Sequence, residues 1–274
     1  MAIQFPALSG PGAQTPFPTL SQLERQQTRL FGQLASGNQL TSASVNPAGV
    51  AIAAQLTTQV NGFAQAVNNI GDAQNMVATA DAALGSQQDV LQQERVLAVQ
   101  SGDAALTDSQ RQIIQGQIAQ LNAGFDQTAQ TTSFNGIALV SQQQTVQFQS
   151  GANAGQTTPA TLPQSTTNQL GLQGVDLTTQ ATQPAALGTL DQAIATTSAN
   201  RADLGAAENN LQSQGNNAAT SQENALAARS QLADTNMAEA SAALSSTLLR
   251  QTLSLYSIQQ QSATFALTSR LLQL

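Results

Sequence analysis

Apolar residues in this chain recur at steps of three and four rather than two, a spacing that draws a stripe along one side of an α-helix. The clearest run is Leu56, Val60, Phe63, Val67, Ile70, Gln74, Val77, Asp81, Leu84, Gln88 and Leu91, alternating four and three without a break. It predicts one long helix in heptad register. Pro47 suits its first turn and Ser101, Gly102 and Asp103 break it after Gln100, which makes it about 80 Å long. A shorter stripe of Leu20, Leu23, Gln27, Leu30 and Leu34 predicts a helix from about Thr19 to Gly37. Upstream, Pro6, Pro11, Pro16 and Pro18 with Gly10 and Gly12 predict an extended arm.

Thr107 with Gln110 has the spacing of a capping box, and Ile114, Ile118, Leu121 and Phe125 continue as a returning helix to about Gln130. The pattern then changes. Asn135-Gly136 is a turn signal, Val146 and Phe148 alternate with polar neighbours, and Gly, Pro, Ser and Thr dominate to residue 184, so small hairpins and loops are expected. After Pro184 the stripe resumes at Leu187, Leu190, Ile194, Thr197, Arg201, Leu204, Glu208, Leu211, Gly215, Ala218, Gln222 and Ala225. A shifted register follows through Leu244, Leu248, Gln251, Leu255, Ile258, Ser262, Phe265, Ser269 and Leu272. The fold class is mainly α, with long antiparallel helices, coiled-coil-like terminal segments and a small β-hairpin region. Its divisions fall at 1–48, 49–130, 131–184, 185–229 and 230–274.

The stripes are diluted by Gln, Asp, Ser, Thr and Gly, and a buried methylene contributes only about 0.8 kcal/mol, so an isolated helix pair would be poorly stabilised. Two arrangements answer this. One is an ordinary monomeric bundle with polar seams facing water. The other is a lattice of identical subunits, favoured by the many alanines, which allow close approach, and by the 8% charged content, which leaves few flanking ion pairs. On the lattice reading Leu56, Val60, Phe63, Val67, Ile70, Leu84, Leu91, Leu244, Leu248, Leu255, Ile258, Phe265 and Leu272 form an assembly seam.

Composition removes most chemistry. The 274 residues include no Cys, His, Trp or Lys, and all eight basic residues are Arg, so thiol and imidazole catalysis, disulfides, thiolate or imidazole metal sites and lysine Schiff bases are excluded. No cofactor is expected. Asp72, Asp81 and Asp89 lie nine and eight residues apart; the first step turns half a circle, so Asp72 and Asp81 form no shared acid-base site. Asp103 and Asp108 lack a calcium-loop pattern. A net charge of -7 argues against nucleic acid and anionic lipid as partners. No segment approaches the ~18 apolar residues of a membrane helix, and residues 1–9 lack the charge and apolar core of a cleavable secretory signal.

Five segments share a resemblance. LASGNQLTSASVNPAGVAIA at 34–53, LQQERVLAVQSGD at 91–103, TTSFNGIALV at 131–140, VQFQSGANAGQT at 146–157 and SQLADTNMAEASAAL at 230–244 are similar, in order and spacing, to motifs of the bacterial flagellins. The resemblance implies a non-enzymatic subunit, exported unfolded by the flagellar type III apparatus and polymerised with identical copies into the extracellular filament used for motility. Residues 1–48 and 230–274 would then form an inner layer, with 49–130 and 185–229 in the helical layer outside it. Implied partners are an export chaperone, the filament cap, hook-junction proteins and a host Toll-like receptor. With only about 30 residues between the hairpins and the helix after Pro184, large outer domains are not expected. A hook-filament junction protein of the same plan is the nearest alternative. A flagellin-like surface protein binding an external ligand is a further one, disfavoured by only one Tyr and eight Phe.

Three departures from the family pattern matter. The proline-bearing arm occupies the place of a helix, and Val45 and Asn46 replace a pair of Asp residues, removing anions from a helix start. The receptor-contact stretch, LQRVRELAVQ in typical members, here has Gln93 for the first Arg and Val96 for the Glu, with Arg95 and Leu97 retained. Loss of a bidentate Arg donor implies weakened recognition. TTPATLPQSTTNQ at 157–169 is expected as a surface loop open to O-linked sugars.

Overall fold

The computed structural model describes residues 16–44 and 46–271, so most of the expected arm, together with Val45, lies outside the described residues. Five α-helices run through them: α1 (Pro16–Ser36), α2 (Pro47–Ser101), α3 (Asp108–Thr131), α4 (Gln183–Ala233) and α5 (Met237–Leu271). α1 starts earlier than the expected Thr19. Pro16 and Pro18 lie in its first turn, where the missing N–H costs no intrahelical bond.

The helix ends have local causes. The Asn46 side chain accepts from Gly49 N at 2.8 Å and its carbonyl accepts from Val50 N, so α2 is capped although the family's anionic pair is absent. A Cβ at Gly49 would stand 2.6 Å from the Asn46 amide, so a larger residue there would have to displace the capping side chain. The capping box of Thr107 and Gln110 forms as its spacing predicts. α4 runs through the expected boundary at 229 and stops at Ala233; the Asn236 side chain then opens α5 by accepting from Glu239 N.

Between α3 and α4 the chain forms two antiparallel hairpins. β1 (Ser133–Phe134) and β2 (Ile137–Ala138) are joined by Asn135 and Gly136, both at positive φ, the turn that an Asn-Gly pair favours. β3 (Gln144–Gln149) pairs with β4 (Thr157–Leu162). The expectation of loops after residue 157 is corrected here: β4 alternates exposed and buried residues, and Ala160 and Leu162 enter the core. Residues 163–182 are irregular yet ordered, because Leu170, Leu172, Val175 and Leu177 bury against the helices. The Gln115 amide fixes this stretch, donating to Val175 O at 2.9 Å and accepting from Leu177 N at 2.8 Å. Asp126 accepts from Thr167 N and Oγ1.

The described chain forms two compact units. One joins the segment up to Leu56 with that from Ala227; the other is Thr57–Leu226. In the second, α2, α3 and α4 share two cores. One, around Ile70, Met76, Leu84, Leu204 and Leu211, is closed by the hairpins. The other, around Leu91, Ile118, Phe125 and Leu190, is closed by the 170–177 stretch.

Two kinds of helical glycine make a test. A Cβ on Gly62 would lie 2.8 Å from the Ala152 Cβ at the β3–β4 turn, whereas one on Gly116 would meet nothing within 4 Å. Gly116→Ala is expected to stabilise by about 1 kcal/mol through helix propensity. Gly62→Ala should instead destabilise by about 1–3 kcal/mol through overpacking. Urea unfolding midpoints of the two variants check the difference in sign.

Candidate functional site

In the first unit α1 packs against α5, and α1 presents the stripe its sequence predicts: Leu30 is 7% exposed, with Leu23, Gln27 and Leu34 half-buried beside it. A clasp joins the two chain segments. Gln39 N donates to Ala233 O at 2.8 Å and Thr235 N donates to Gly37 O at 2.9 Å, forming an antiparallel bridge around Asn38 and Asp234. Gly37 takes φ 68° to turn out of α1 into this bridge.

α5 is arranged the other way round. Its less exposed positions are Ala240, Ala243, Leu244, Thr247, Gln251, Ser254 and Ile258. Its large apolar side chains remain uncovered: Leu249 at 63%, Leu253 at 66%, Tyr256 at 65% and Leu267 at 61%, with Leu248 and Leu255 also exposed. The predicted register is therefore split. Leu244 and Ile258 are half-buried, Leu248 and Leu255 are exposed, and the Phe265 side chain and Leu272 lie outside the described residues. Mostly small and polar residues face the covered side, where they let the backbones approach, which leaves Leu248, Leu249, Leu253 and Leu255 outside.

The α2 part of the predicted seam has a different fate. Val60, Ile70, Leu84 and Leu91 are at most 7% exposed within one chain, and Leu56, Phe63 and Val67 are half-buried. Val60, Ile70, Leu84 and Leu91 are thus packed within one chain, while Leu56, Phe63 and Val67 stay partly open. The innermost heptad is its neighbour: Ala66, Ala73, Ala80, Gln87, Glu94 and Ser101 are each at most 1% exposed. Gln74, Asp81, Gln88 and Arg95, one residue further on, form rungs to α4. Gln74 bonds Gln212 at 3.0 Å, Gln88 bonds Ser198 at 3.3 Å, and Arg95 Nε donates to Asp191 at 2.6 Å. Asp81 accepts two bonds from Arg201, which also reaches Gln88.

In the expected receptor stretch Gln93, Arg95 and Val96 are exposed and Leu97 is half-buried. Gln93, Val96 and Leu97 line an open groove with Asp89, Gln92 and Leu121. Arg95 is already engaged by Asp191. Glu94 was not foreseen. It is fully buried, neither carboxylate oxygen has a partner, and burial pushes its carboxyl from 4.5 up to about 7. One signal marked it: the Val that LQRVRELAVQ carries at this position. The 157–169 tract also departs from expectation, since Thr158, Ser165 and Thr167 are buried and only part of the tract can meet solvent. Asp72 and Asp89 are exposed, and Asp81 is a rung.

Long helices with heptad rungs, two small hairpins and the pairing of α1 with α5 define a mainly α protein of coiled-coil type. Residues 17–145 match the bacterial flagellin N-terminal helical region, and residues 187–274 match the C-terminal helical region. Flagellin of Halalkalibacterium halodurans is 30% identical over 217 residues, covering 78% of this chain and 80% of that protein. The chain belongs to the bacterial flagellin family. Flagellin of Serratia marcescens is 32% identical over 61% of this chain, and the match spans 48% of the relative's length. A solved structure from Vibrio parahaemolyticus, described as a putative flagellar hook-associated protein, shares the fold at 14% identity, with a TM-score of 0.59 over 69% of this chain and all of that one. No helix among the described residues is long and apolar enough to cross a membrane.

The first unit can be tested through its inner and outer faces. Leu30→Asp would bury a charge and is expected to cost on the order of 3 kcal/mol. Leu253→Ser lies on the uncovered face and should stay within about 0.5 kcal/mol. Trypsin can cut only after Arg in this chain, so the rate of cleavage at Arg25, Arg29 and Arg250 reads the unit directly: fast in the first variant, unchanged in the second.

Proposed function

We propose that the chain is a structural, non-catalytic subunit of the bacterial flagellar filament, exported and then assembled outside the cell with identical copies. The observation that carries this reading is the uncovered apolar face of α5, with Leu248, Leu249, Leu253, Leu255 and Tyr256 all exposed in a member of this family. A contiguous apolar surface of that kind is costly in water and is relieved by burial against another chain. The second unit supports the same reading from the opposite side, because its core is already closed and it can stay folded while the paired ends enter a shared interior.

In this scheme residues 1–48 and 230–274 occupy the inner layer, and 49–130 and 185–229 occupy the helical layer around it. An export chaperone would shield α5 before assembly, the cap would meet the growing tip of the filament, and the hook-junction proteins would meet its base. Among the described seam residues, Leu248 and Leu255 are the most exposed and would contact copies.

Leu255→Asp is expected to abolish seeded filament growth, viewed by electron microscopy, while circular dichroism of the subunit stays unchanged. Filaments of normal length from this variant would overturn the reading. Recognition by the host Toll-like receptor is expected to be weaker than for a typical flagellin, because Gln93 brings no charge and Arg95 is held by Asp191. A receptor-signalling assay at matched concentrations reads this, and full-strength activation would refute it.

A further inference from the structure

The sequence contains no His and no Cys, the side chains whose ordinary titration falls nearest neutral pH. Glu94 is set apart by where it stands. Ala66, Ala73 and Ala80 precede it in the innermost heptad, and Leu91 and Ala98 flank it on the same buried face. That face belongs to the core completed by Ile114, Ile118 and Phe125 of α3 and Leu190 and Ala193 of α4. A long acidic side chain thus occupies a line that starts with the smallest ones, with both oxygens buried and unpartnered.

We propose that Glu94 is a single-proton latch: the second unit closes around its neutral carboxyl, and loss of that proton loosens residues 91–101 from α3 and from the 170–177 stretch.

Among the described residues no charged group is paired with the Glu94 carboxyl. On α2, Asp89 is exposed and Arg95 is engaged by Asp191 of α4. On α3, Asp108 is exposed at the helix start, and Asp126 is held by Thr167. Arg111 is buried, but its Nη2 donates to Asp103 O and Leu106 O, and its Nη1 has no partner. Further along α4, Arg201 is engaged by Asp81 and Asp203 is exposed. Asp176, within the 170–177 stretch, is exposed and accepts from Thr178. The ion pairs among the described residues are Arg95–Asp191 and Arg201–Asp81, and neither includes Glu94.

The direction of the effect follows from linkage. Glu94 binds its proton more tightly folded than unfolded, so its stabilising contribution is complete below about 4.5 and is lost as pH rises to about 7. The folded-to-unfolded ratio should fall up to tenfold per pH unit across that window, about 300-fold in all. This belongs to the lone chain and does not depend on filament assembly.

The test is urea unfolding of the full chain, followed by circular dichroism from pH 5 to 7.5, for the wild type, Glu94→Gln and Glu94→Ala. The wild-type midpoint should fall with rising pH, and both variants should be flat. Hydrogen exchange of residues 91–101 in the wild type should speed up over the same range, beyond the rise that pH alone gives an unfolded peptide, a readout that stands even if a variant fails to fold. A flat wild type, no such excess in exchange, or a slope retained in either variant would overturn the latch.

Discussion

The antiparallel register between α2 and α4 is the constraint on which the second unit depends. Gln74, Gln88 and Arg95 meet Gln212, Ser198 and Asp191, so equal steps along the two helices keep the same partners aligned. A strict seven-residue repeat holds a seam in place only if the helices coil slightly about one another. Opposite Asp81 the repeat on α4 arrives at Gly205, which has no side chain to offer, and Arg201 bridges the gap from one turn away. The rungs are partly exposed and individually weak. They matter by specifying register, since a slip by one heptad would place Arg95 and Asp191 against uncharged partners.

Behind the rungs, alanine decides how closely the helices approach. Ala66, Ala73 and Ala80 occupy the innermost line of α2, and the larger side chains interlock to either side. This explains how a chain with 3% aromatic residues closes a core without a second copy. The first unit follows a different plan. α1 meets a mostly small and polar side of α5, and Leu248, Leu249, Leu253 and Leu255 remain outside, so the two units contrast in self-sufficiency although both are built from heptads.

Much of this was legible in the sequence. The α1 stripe, the α2 start at Pro47, the box of Thr107 and Gln110 and the Asn135-Gly136 turn all appear where short-range chemistry places them. Three features were not. Choosing between adjacent heptads on α2 required knowing two neighbours at once, because an alanine line carries little periodic signal beside Leu84 and Leu91. Strand β4 contains Pro159 among threonines, so its composition reads as loop, and only its pairing with β3 reveals alternation. The irregular stretch after it is ordered by Gln115 and Asp126, residues distant in sequence whose role is set by tertiary contact. Among the site residues, exposure of Leu248 and Leu255 could not be told from burial of Leu244 and Ile258, since a heptad with mixed composition does not say which side its neighbour occupies.

The clasp between residues 37–39 and 233–235 has a consequence for the order of events. Gln39 and Leu232, joined across it by a side-chain hydrogen bond, are 193 positions apart. A contact of such separation carries a closure entropy that short-range structure must offset first, and the intervening helices shorten that loop only once they have formed. If the polypeptide emerges from a passage with α1 ahead of α5, α1 must wait, unmatched, until α5 is clear. Closure of this unit is thereby timed by its later segment: the arrival of α5 licenses α1 to settle.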